Sequence, residues 1–308
     1  MRPENETPAL LLGLIGEGIG ESLSPTLYEA EAARHGLLCI YQRIDLDELG
    51  LGPADLPELL TAAERFGFAG LNITHPCKQA VIPHLDELSD EARTLGAVNT
   101  VVLRGGRRIG HNTDHYGFSQ NLREKLGARE PGRVVQLGAG GAGAAVADAI
   151  LRLGARGLTL FDQTAGRAEH LAQALRARFP GIPIDAGGDP APAMRQADGL
   201  INATPVGMRK HPGTPIPPAL LEPRHWFAEI IYFPLETELL RLAREKGCHT
   251  IDGLGMVVHQ AARAFELYTD GMAADARRMA AHVAEILARR AAAAPDRRAH
   301  PARRKESP

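Results

Sequence analysis

The chain has 308 residues, of which 44% are hydrophobic and 23% charged, so its length suits two domains and its composition is ordinary for a soluble globular protein. Its net charge of −2 gives no electrostatic reason to expect nucleic acid as a partner. The three cysteines are scattered and lack a metal-ligand spacing, so we expect a reduced protein with no metal. No apolar stretch is long enough to span a bilayer, and the N-terminus lacks a signal-peptide pattern. We therefore expect a cytoplasmic protein with no membrane contact.

The first third of the chain alternates strand and helix patterns. Short apolar runs predict strands at 10–15, 40–44 and 70–74, and helical patterns predict helices at about 25–33, 55–66 and 78–85. Ser24 is well placed to cap the first of these helices. Two further runs on either side of Gly105-Gly106 predict a hairpin of 97–103 with 108–111. This alternation predicts a mostly parallel sheet in an α/β domain.

The rest of the chain continues in β–α order. Strands are predicted at 133–137, 158–161, 199–202 and 226–231, and helices at 117–126, 144–153, 168–178, 236–246, 256–268 and 273–287. This order predicts a doubly wound Rossmann domain. We expect a substrate domain of residues 1–114, completed by C-terminal helices at 255–288, and an NAD-binding domain of residues 115–254. Residues 289–308 hold seven Lys/Arg and two Asp/Glu and are expected to form a disordered basic tail.

A dinucleotide-binding fingerprint lies between a predicted strand and a predicted helix. It consists of Gly138, Ala139, Gly140, Gly141, Ala142 and Gly143. The three fingerprint glycines allow a tight turn, close approach to a pyrophosphate and close helix packing, and the helix N-terminus favours phosphate. Asp162, at the end of the next strand, is suited to accept hydrogen bonds from the ribose hydroxyls and to repel a 2′-phosphate. We therefore expect NAD, while Arg167 keeps NADP open as the alternative.

Lys78 and Asp114 form a candidate proton-transfer pair on short loops upstream of the fingerprint. Alone, Lys78 would be interpreted as a surface charge and Asp114 as a helix cap. Polar neighbours at predicted strand ends strengthen the functional interpretation, and they are Asn72, Thr74, Asn99, Asn112 and Thr113. Ligands bind outside the carboxyl ends of strands in open α/β sheets. A lysine and a carboxylate there would serve a dehydrogenase, which must move a proton while the cofactor moves a hydride.

Several longer motifs follow one another along the chain, namely Ser22-Leu-Ser-Pro25, Asn72-Ile-Thr-His-Pro-Cys-Lys78, Gly96-Ala-Val-Asn-Thr100, Asn112-Thr-Asp114, Asn202-Ala-Thr-Pro205, Ile231-Tyr232, and Asp252-Gly-Leu-Gly-Met256 with Gln260. This set resembles the shikimate/quinate dehydrogenase family from about residue 13 to residue 268. The resemblance implies reversible hydride transfer between a nicotinamide and the C3 ring hydroxyl or ketone of shikimate, quinate or their 3-dehydro forms.

The resemblance also implies a role for each matching residue. Ser22 and Ser24 would bind the substrate carboxylate, and Lys78 and Asp114 would flank the hydroxyl that is oxidised. The remaining substrate contacts would come from Thr74, Asn99, Gln260 and Tyr232. The nicotinamide half of the cofactor would contact Ala203, Thr204, Ile230 and Gly253, and Met256 is a further candidate cofactor contact. In this scheme Lys78 is the acid/base group and Asp114 orients it.

Two departures from common biosynthetic members bear on specificity. Those members usually carry Asn-Arg-Thr where this chain has Asp162-Gln-Thr164, and bind NADP; many also carry a Pro and a His where this chain has Gly16-Glu-Gly-Ile-Gly20. The resemblance is greatest to the NAD-dependent quinate/shikimate branch, and the segments that carry it are Tyr28-Glu-Ala-Glu31, Tyr41-Gln-Arg-Ile-Asp45 and Ile231-Tyr-Phe-Pro-Leu-Glu-Thr237. Members of that branch tend to have Thr where this chain has Ser24. The loss of one methyl group enlarges the pocket slightly and leaves the balance between quinate and shikimate open. The alternatives are a dedicated shikimate dehydrogenase, an aminoshikimate-type enzyme and a catalytically silent NAD sensor. The expected partner is the small-molecule substrate, with the chain as a monomer or homodimer.

Overall fold

The computed structural model describes residues 9–293, which contain two six-stranded sheets. The strands of the first sheet are β1 (Ala9–Gly16), β2 (Leu38–Asp45), β3 (Gly70–Ile73), β4 (Glu87–Leu88), β5 (Thr100–Arg104) and β6 (Arg107–His111). The strands of the second sheet are β7 (Arg133–Leu137), β8 (Gly157–Phe161), β9 (Ile184–Ala186), β10 (Gly199–Asn202), β11 (Trp226–Glu229) and β12 (His249–Ile251).

Strand order and direction confirm the predicted fold class. The first sheet runs β2-β1-β3-β5-β6-β4, with β1 parallel to β2 and β3, β4 parallel to β6, and β5 antiparallel to both of its neighbours. The second sheet runs β12-β11-β10-β7-β8-β9 with every pair parallel, which is the doubly wound Rossmann order. The predicted hairpin is confirmed by β5 and β6, whose turn residues Gly105 and Gly106 have φ of 60° and 74°.

Twelve α-helices lie within the described residues. They are α1 (Ser24–Arg34), α2 (Leu46–Leu49), α3 (Leu56–Arg65), α4 (Cys77–Ala80), α5 (Asp90–Leu95), α6 (Asp114–Leu126), α7 (Gly141–Arg152), α8 (Arg167–Arg178), α9 (Pro190–Met194), α10 (Glu238–Glu245), α11 (Gly253–Tyr268) and α12 (Ala276–Ala293). Short 3₁₀ helices occupy Pro53–Asp55, Ile82–His84 and Pro218–Leu220. Over this part of the chain no helix is both long and apolar enough to cross a membrane.

The C-terminal helices return to the first sheet. Val258 and Phe265 of α11 and Val283 of α12 are buried in one apolar cluster with Leu12 of β1 and Tyr28 of α1. The opposite face of this sheet is covered by α3 and α4. The helix α6 packs on α11 and also on α7, beside the second sheet. The chain therefore passes from the first sheet to the second near α6 and comes back at α11.

Three local features differ from the sequence-based expectations. The helix predicted at 78–85 ends at Ala80 and is followed by a 3₁₀ turn, because Pro83 has no N–H to donate. The cap expected from Ser24 is wrong: Leu23 is the N-cap of α1, and the Ser24 N–H donates to Ser22 Oγ at 3.2 Å. The short strands β9 and β12 were not predicted, since three residues carry too little of a period-2 pattern.

The last helix also extends further than expected. It ends at Ala293, so the first five residues of the predicted tail, 289–293, are helical. Alanine and arginine have high helix propensity, which favours this extension despite the basic composition. The remainder of the predicted tail, 294–308, lies outside the described residues.

Candidate active site

Lys78 and Asp114 form a close ion pair at the carboxyl ends of the first sheet's strands. Lys78 Nζ lies 2.5 Å from Asp114 Oδ2, and the two side chains are 17% and 3% exposed. The other oxygen of Asp114 accepts a hydrogen bond of 3.0 Å from Asn99 Nδ2. The carboxylate is therefore held from both sides, and the lysine amine keeps a partial path to solvent.

Local backbone geometry places the two charged groups. Lys78 lies in α4, directly after β3, and its carbonyl accepts from Val98 N. Asp114 is the first residue of α6, and its N–H donates to Asn112 Oδ1 at 3.0 Å. Its side chain points to Lys78 and Asn99 and makes no capping bond to α6, so the interpretation of Asp114 as a helix cap is wrong.

A polar network continues from Asn99 towards the first helix. Asn72 Nδ2 donates to Asn99 O at 3.3 Å, and Tyr41 Oη donates to Asn72 Oδ1 at 2.8 Å. Burial raises the pKa of Tyr41 well above its usual range, although a hydrogen bond with Ser24 partly opposes this effect. Tyr41 therefore stays a neutral hydrogen-bond donor, and it connects Ser24 to the Lys78 region.

The two serines of the Ser-x-Ser motif lie together at the start of α1. Ser22 Oγ donates to Ser24 Oγ at 3.1 Å, and both residues are partly exposed. Tyr232, in the loop after β11, lies near Ser22: burial raises the pKa of Tyr232, and the neighbouring Ser22 hydroxyl partly opposes this rise. The structure thus brings Ser22, Ser24 and Tyr232 into one hydroxyl-rich group.

Thr74 and Gln260 border the same region. Thr74 follows β3, and a Cβ at Gly16 would overlap its methyl group, so only glycine allows this close approach. Gln260 lies on α11 against α6, where a Cβ at Gly117 would lie 2.5 Å from Gln260 Cγ. Both side chains remain partly exposed and are available to a ligand.

The glycine fingerprint forms a turn that only glycine can make at two of its positions. Gly138 has φ of 94°, and a Cβ there would overlap the carbonyl of Ala203; a Cβ at Gly143 would overlap the carbonyl of Gly138. Gly140 faces open space, and no side chain caps the N-terminus of α7. The backbone N–H groups at the start of α7 are therefore available to an anion, whereas Gly138 N and Ala139 N donate to Phe161 O and Asp162 Oδ2.

Asp162 is tied to the same turn. Its Oδ2 accepts from Ala139 N and its Oδ1 from Thr164 N, both at 2.8 Å, and its side chain is 7% exposed. It does not cap α8, whose N-cap is Gly166. Arg167 NH1 lies 3.6 Å from Asp162 Oδ1 and is half-exposed. A carboxylate with one N–H on each oxygen keeps acceptor capacity for further donors.

The candidate cofactor and substrate regions face each other. A Cβ at Gly141 would lie 3.9 Å from Lys78 Cβ and Cδ, so the fingerprint turn lies close to the lysine side chain. Ala203 and Thr204 adjoin Gly138, and Gly253 adjoins the backbone of Ile230. The remaining predicted cofactor contact is Met256, which is 4% exposed and belongs to the apolar cluster beneath the second sheet.

Three residues in this region were not singled out from the sequence. Tyr41 connects Asn72 to Ser24, and the buried Gln136 donates to the carbonyls of Gly138 and Gly143 at 2.9 and 2.8 Å. Glu229 is a 2%-exposed carboxylate at the end of β11. A polar residue within a short apolar strand, as in both Gln136 and Glu229, was the sequence signal that could have identified them.

Glu229 has a strongly perturbed pKa. Burial raises it from 4.5 to about 7, against the opposing effect of hydrogen bonds from Asn202, Thr237 and the backbone. Because the folded-state pKa lies above the unfolded value, the folded chain holds this proton to higher pH than the unfolded chain does. The resulting stabilisation is complete below about pH 4.5 and is lost as the pH rises through 7.

This shift predicts a pH-dependent difference between the wild type and Glu229→Gln, whose amide does not titrate. At about 1.4 kcal/mol per pKa unit, the free energy of unfolding of the wild type relative to the variant should fall by at most about 3 kcal/mol between pH 4.5 and 7. Above about pH 8 the difference should be constant, because the carboxyl group is then almost fully ionised in both states. Urea unfolding of both proteins across this range measures it, and a difference independent of pH would contradict the assignment.

Within residues 9–293, no group of three or more His, Cys, Asp or Glu is arranged to hold a metal ion.

Two sequence profiles of known domains match the chain. The Shikimate dehydrogenase substrate binding domain matches residues 14–101, and the Shikimate 5′-dehydrogenase C-terminal domain matches residues 253–283.

Full-length relatives carry related names. The chain is 54% identical over 278 residues to a Streptomyces avermitilis protein named Shikimate dehydrogenase (NADP(+)), covering 90% of this chain and 95% of that protein. It is 48% identical to a Corynebacterium efficiens protein named Quinate/shikimate dehydrogenase (NAD(+)), covering 89% and 97%. The structure of the quinate dehydrogenase of Corynebacterium glutamicum in complex with NAD superposes with a TM-score of 0.83 at 43% identity, covering 90% and 99%.

Proposed function

The chain belongs to the shikimate dehydrogenase family, and we propose on that basis that it is an NAD-dependent shikimate/quinate dehydrogenase. The proposed reaction is reversible hydride transfer between a nicotinamide and the C3 hydroxyl or ketone of the cyclic acid. The observation that carries this proposal is the Lys78–Asp114–Asn99 cluster, whose lysine side chain lies close to Gly141 of the fingerprint turn. An acid/base amine near a dinucleotide-binding turn supplies the two parts that alcohol oxidation requires.

The proposed division of labour follows the two sheets. We assign substrate binding to residues 1–114 together with 255–288, because α11 and α12 pack on the first sheet. We assign dinucleotide binding to residues 115–254, which contain the second sheet. The candidate proton-transfer pair then belongs to the substrate domain, at the border with the fingerprint turn.

Lys78 carries the proton in this proposal. Its amine accepts the proton of the substrate hydroxyl during oxidation and returns it to the ketone oxygen during reduction. Asp114 holds Nζ in place through the 2.5 Å contact, and Asn99 fixes the carboxylate from its other side. The dinucleotide, when bound, accepts or supplies the hydride. With 17% of its side chain exposed, Lys78 can exchange its proton with solvent between turnovers.

The substrate carboxylate is proposed to bind Ser22, Ser24 and Tyr232. These three hydroxyls lie together, and Tyr41 and Asn72 continue the polar surface towards Asn99. A small acid with several ring hydroxyls needs such a series of donors and acceptors. A site of this kind rejects an analogue that lacks one hydroxyl, because a polar group of the protein is then left unpaired.

The dinucleotide is proposed to bind across Gly138–Gly143 with its adenosine ribose at Asp162. The uncapped α7 N-terminus and the open space at Gly140 fit a pyrophosphate. Asp162 favours NAD, since its buried carboxylate would repel a 2′-phosphate. Arg167 NH1 lies 3.6 Å from Asp162 Oδ1, so the positive charge of Arg167 offsets part of the repulsion between Asp162 and a 2′-phosphate. Substitution of Asp162 is therefore the decisive test of the cofactor preference.

A steady-state assay with shikimate and quinate, each with NAD⁺ and NADP⁺, tests the proposal. We expect kcat/KM to be at least about tenfold higher with NAD⁺, which corresponds to about 1.4 kcal/mol. Asp162→Ser should shift this ratio towards NADP⁺, whereas Asp185→Ser, an exposed aspartate on the neighbouring β9, should leave it unchanged. A wild-type preference for NADP⁺ would contradict the role of Asp162. A lack of oxidation of both acids would contradict the proposed reaction.

A second candidate is a dedicated NADP-dependent shikimate dehydrogenase. It is favoured by the name of the 54% identical Streptomyces avermitilis relative. The same assay separates the two candidates, because this one predicts activity with shikimate and NADP⁺ and little oxidation of quinate. Ser24 is where we expect the preference for one acid to be set, since it lacks the methyl group of the Thr that is typical of the NAD-dependent branch, which leaves a slightly larger pocket next to the proposed carboxylate site.

A further inference from the structure

Glu229 is a buried carboxylate without an ion-pair partner among residues 9–293. It ends β11 with 2% of its surface exposed, and every contact to it comes from an uncharged group. An ionised carboxylate is costly to bury unless hydrogen bonds compensate it. A neutral residue of similar size would avoid that cost, so the contacts that Glu229 makes indicate what it does.

Its hydrogen bonds join three separate segments. Asn202 Nδ2, at the end of β10, donates to both carboxylate oxygens at 3.0 Å. Thr237 Oγ1, the N-cap of α10, donates to Oε2 at 2.8 Å, and Ile231 N donates to Oε1 at 3.1 Å. One side chain therefore fixes the ends of two neighbouring strands and the start of the next helix.

The same network shapes the turn after β10. The side-chain oxygen of Asn202, whose amide nitrogen is held by Glu229, accepts from Thr204 N at 3.0 Å and from Thr204 Oγ1 at 2.7 Å. Thr204 Oγ1 in turn accepts from Val206 N at 3.1 Å. The carboxylate therefore helps to orient the Asn202 amide, whose nitrogen also donates to Val206 O at 3.1 Å, and this amide holds the turn at residues 203–206.

We infer that Glu229 is a positioning residue for the nicotinamide half of the dinucleotide. Through Asn202 it holds the segment that contains Ala203 and Thr204. Through the N–H of Ile231 it holds the segment that contains Ile230. These two segments form the two sides of the proposed nicotinamide site, so Glu229 fixes the sides relative to each other. This inference rests on the proposed function, which assigns those residues to the nicotinamide. The adenosine half, at Asp162 and Gly140, shares no hydrogen bond with Glu229.

Binding of two ligands to Glu229→Gln tests the inference. The first ligand is NAD⁺ or NADP⁺, whichever the wild type binds more tightly. The second ligand is the corresponding molecule without the nicotinamide, which is ADP-ribose for NAD⁺ and the 2′-phosphate of ADP-ribose for NADP⁺. By calorimetry, the variant should bind the dinucleotide about tenfold more weakly and the counterpart within about twofold of the wild type. In assays, KM for the dinucleotide should rise while KM for shikimate stays unchanged. The matched control is Glu236→Gln, which replaces an exposed glutamate in the loop between β11 and α10. It should change neither the two affinities nor the two KM values.

Equal weakening of both ligands, or no weakening of either, would overturn the inference. Such a result is distinct from failure of the proposed function, which would appear as a wild type that binds the dinucleotide but oxidises neither acid.

A titration of the wild type provides a second test that needs no variant. Protonation turns one carboxylate oxygen into a donor, which can no longer accept from Asn202 or Thr237. The affinity for the dinucleotide, relative to ADP-ribose, should therefore fall as the pH is lowered from about 8 to about 6. The charged groups on the flanking segments are Glu236 and Glu238, both exposed, and Asp252, which caps α11. A ratio of affinities that does not change with pH would overturn the inference.

Discussion

Replacing Lys78 with alanine is expected to lower kcat by roughly 10²–10⁴-fold, the range for a positioned acid/base group. The amine lies 2.5 Å from Asp114, on a side chain whose Cβ and Cδ lie close to the fingerprint turn. The affinity for the dinucleotide should change little, because the atoms of Lys78 nearest to that turn are aliphatic. Turnover of shikimate with saturating cofactor, together with calorimetry of the cofactor, measures both effects.

Folding of the variant must be checked separately. Removing one partner of a buried ion pair costs about 3–5 kcal/mol, and Asp114 would be left as a buried charge. Thermal melting establishes whether the protein is folded, and Lys78→Met retains most of the side-chain volume. Lys125→Ala, an exposed lysine on α6, is the matched control and should keep full turnover. A small primary amine in the assay should restore part of the activity of Lys78→Ala. A folded variant with near-wild-type turnover would contradict the assignment.

The sequence predicted the approach of Lys78 and Asp114 because the rule behind it is geometric. Both residues follow strands of one sheet, and the structure places their side chains in contact together with Asn99. The fingerprint turn was equally predictable, since strand, glycines and helix are contiguous. In both cases the prediction needed only the strand positions and the direction of the chain.

Contacts between distant segments were beyond such rules. Tyr41 reaches Asn72, 31 positions away, and Glu229 reaches Asn202, 27 positions away; no periodic pattern encodes either pair. Asp162 shows a different limit: its position was predicted, but its hydrogen bond to Ala139 depends on how the turn closes over the strand end. Side-chain hydrogen bonds of this kind are decided by packing, which a local pattern does not contain.

Asp114→Asn is expected to lower kcat by about 10²-fold, because a shift of about 1 Å in a reacting group has an effect of this size. The carboxylate now accepts from Lys78 on one oxygen and from Asn99 on the other. An amide has one oxygen, so its NH₂ must face one of these two donors and the lysine loses its fixed position. Asp270→Asn, an exposed aspartate that pairs with Arg104, is the matched control and should be neutral.

The double variant separates an orienting role of Asp114 from a direct one. If Asp114 acts only by holding Nζ, then Lys78→Ala already removes its effect, and adding Asp114→Asn should lower kcat no further. If Asp114 instead contacts the reacting hydroxyl, the two losses should multiply to roughly 10⁴-fold or more. The structure favours the first result, because Lys78 is 17% exposed, whereas the Asp114 side chain is only 3% exposed and is held by Lys78 and Asn99. Multiplying losses would contradict the orienting role and make Asp114 a second group that acts on the substrate itself.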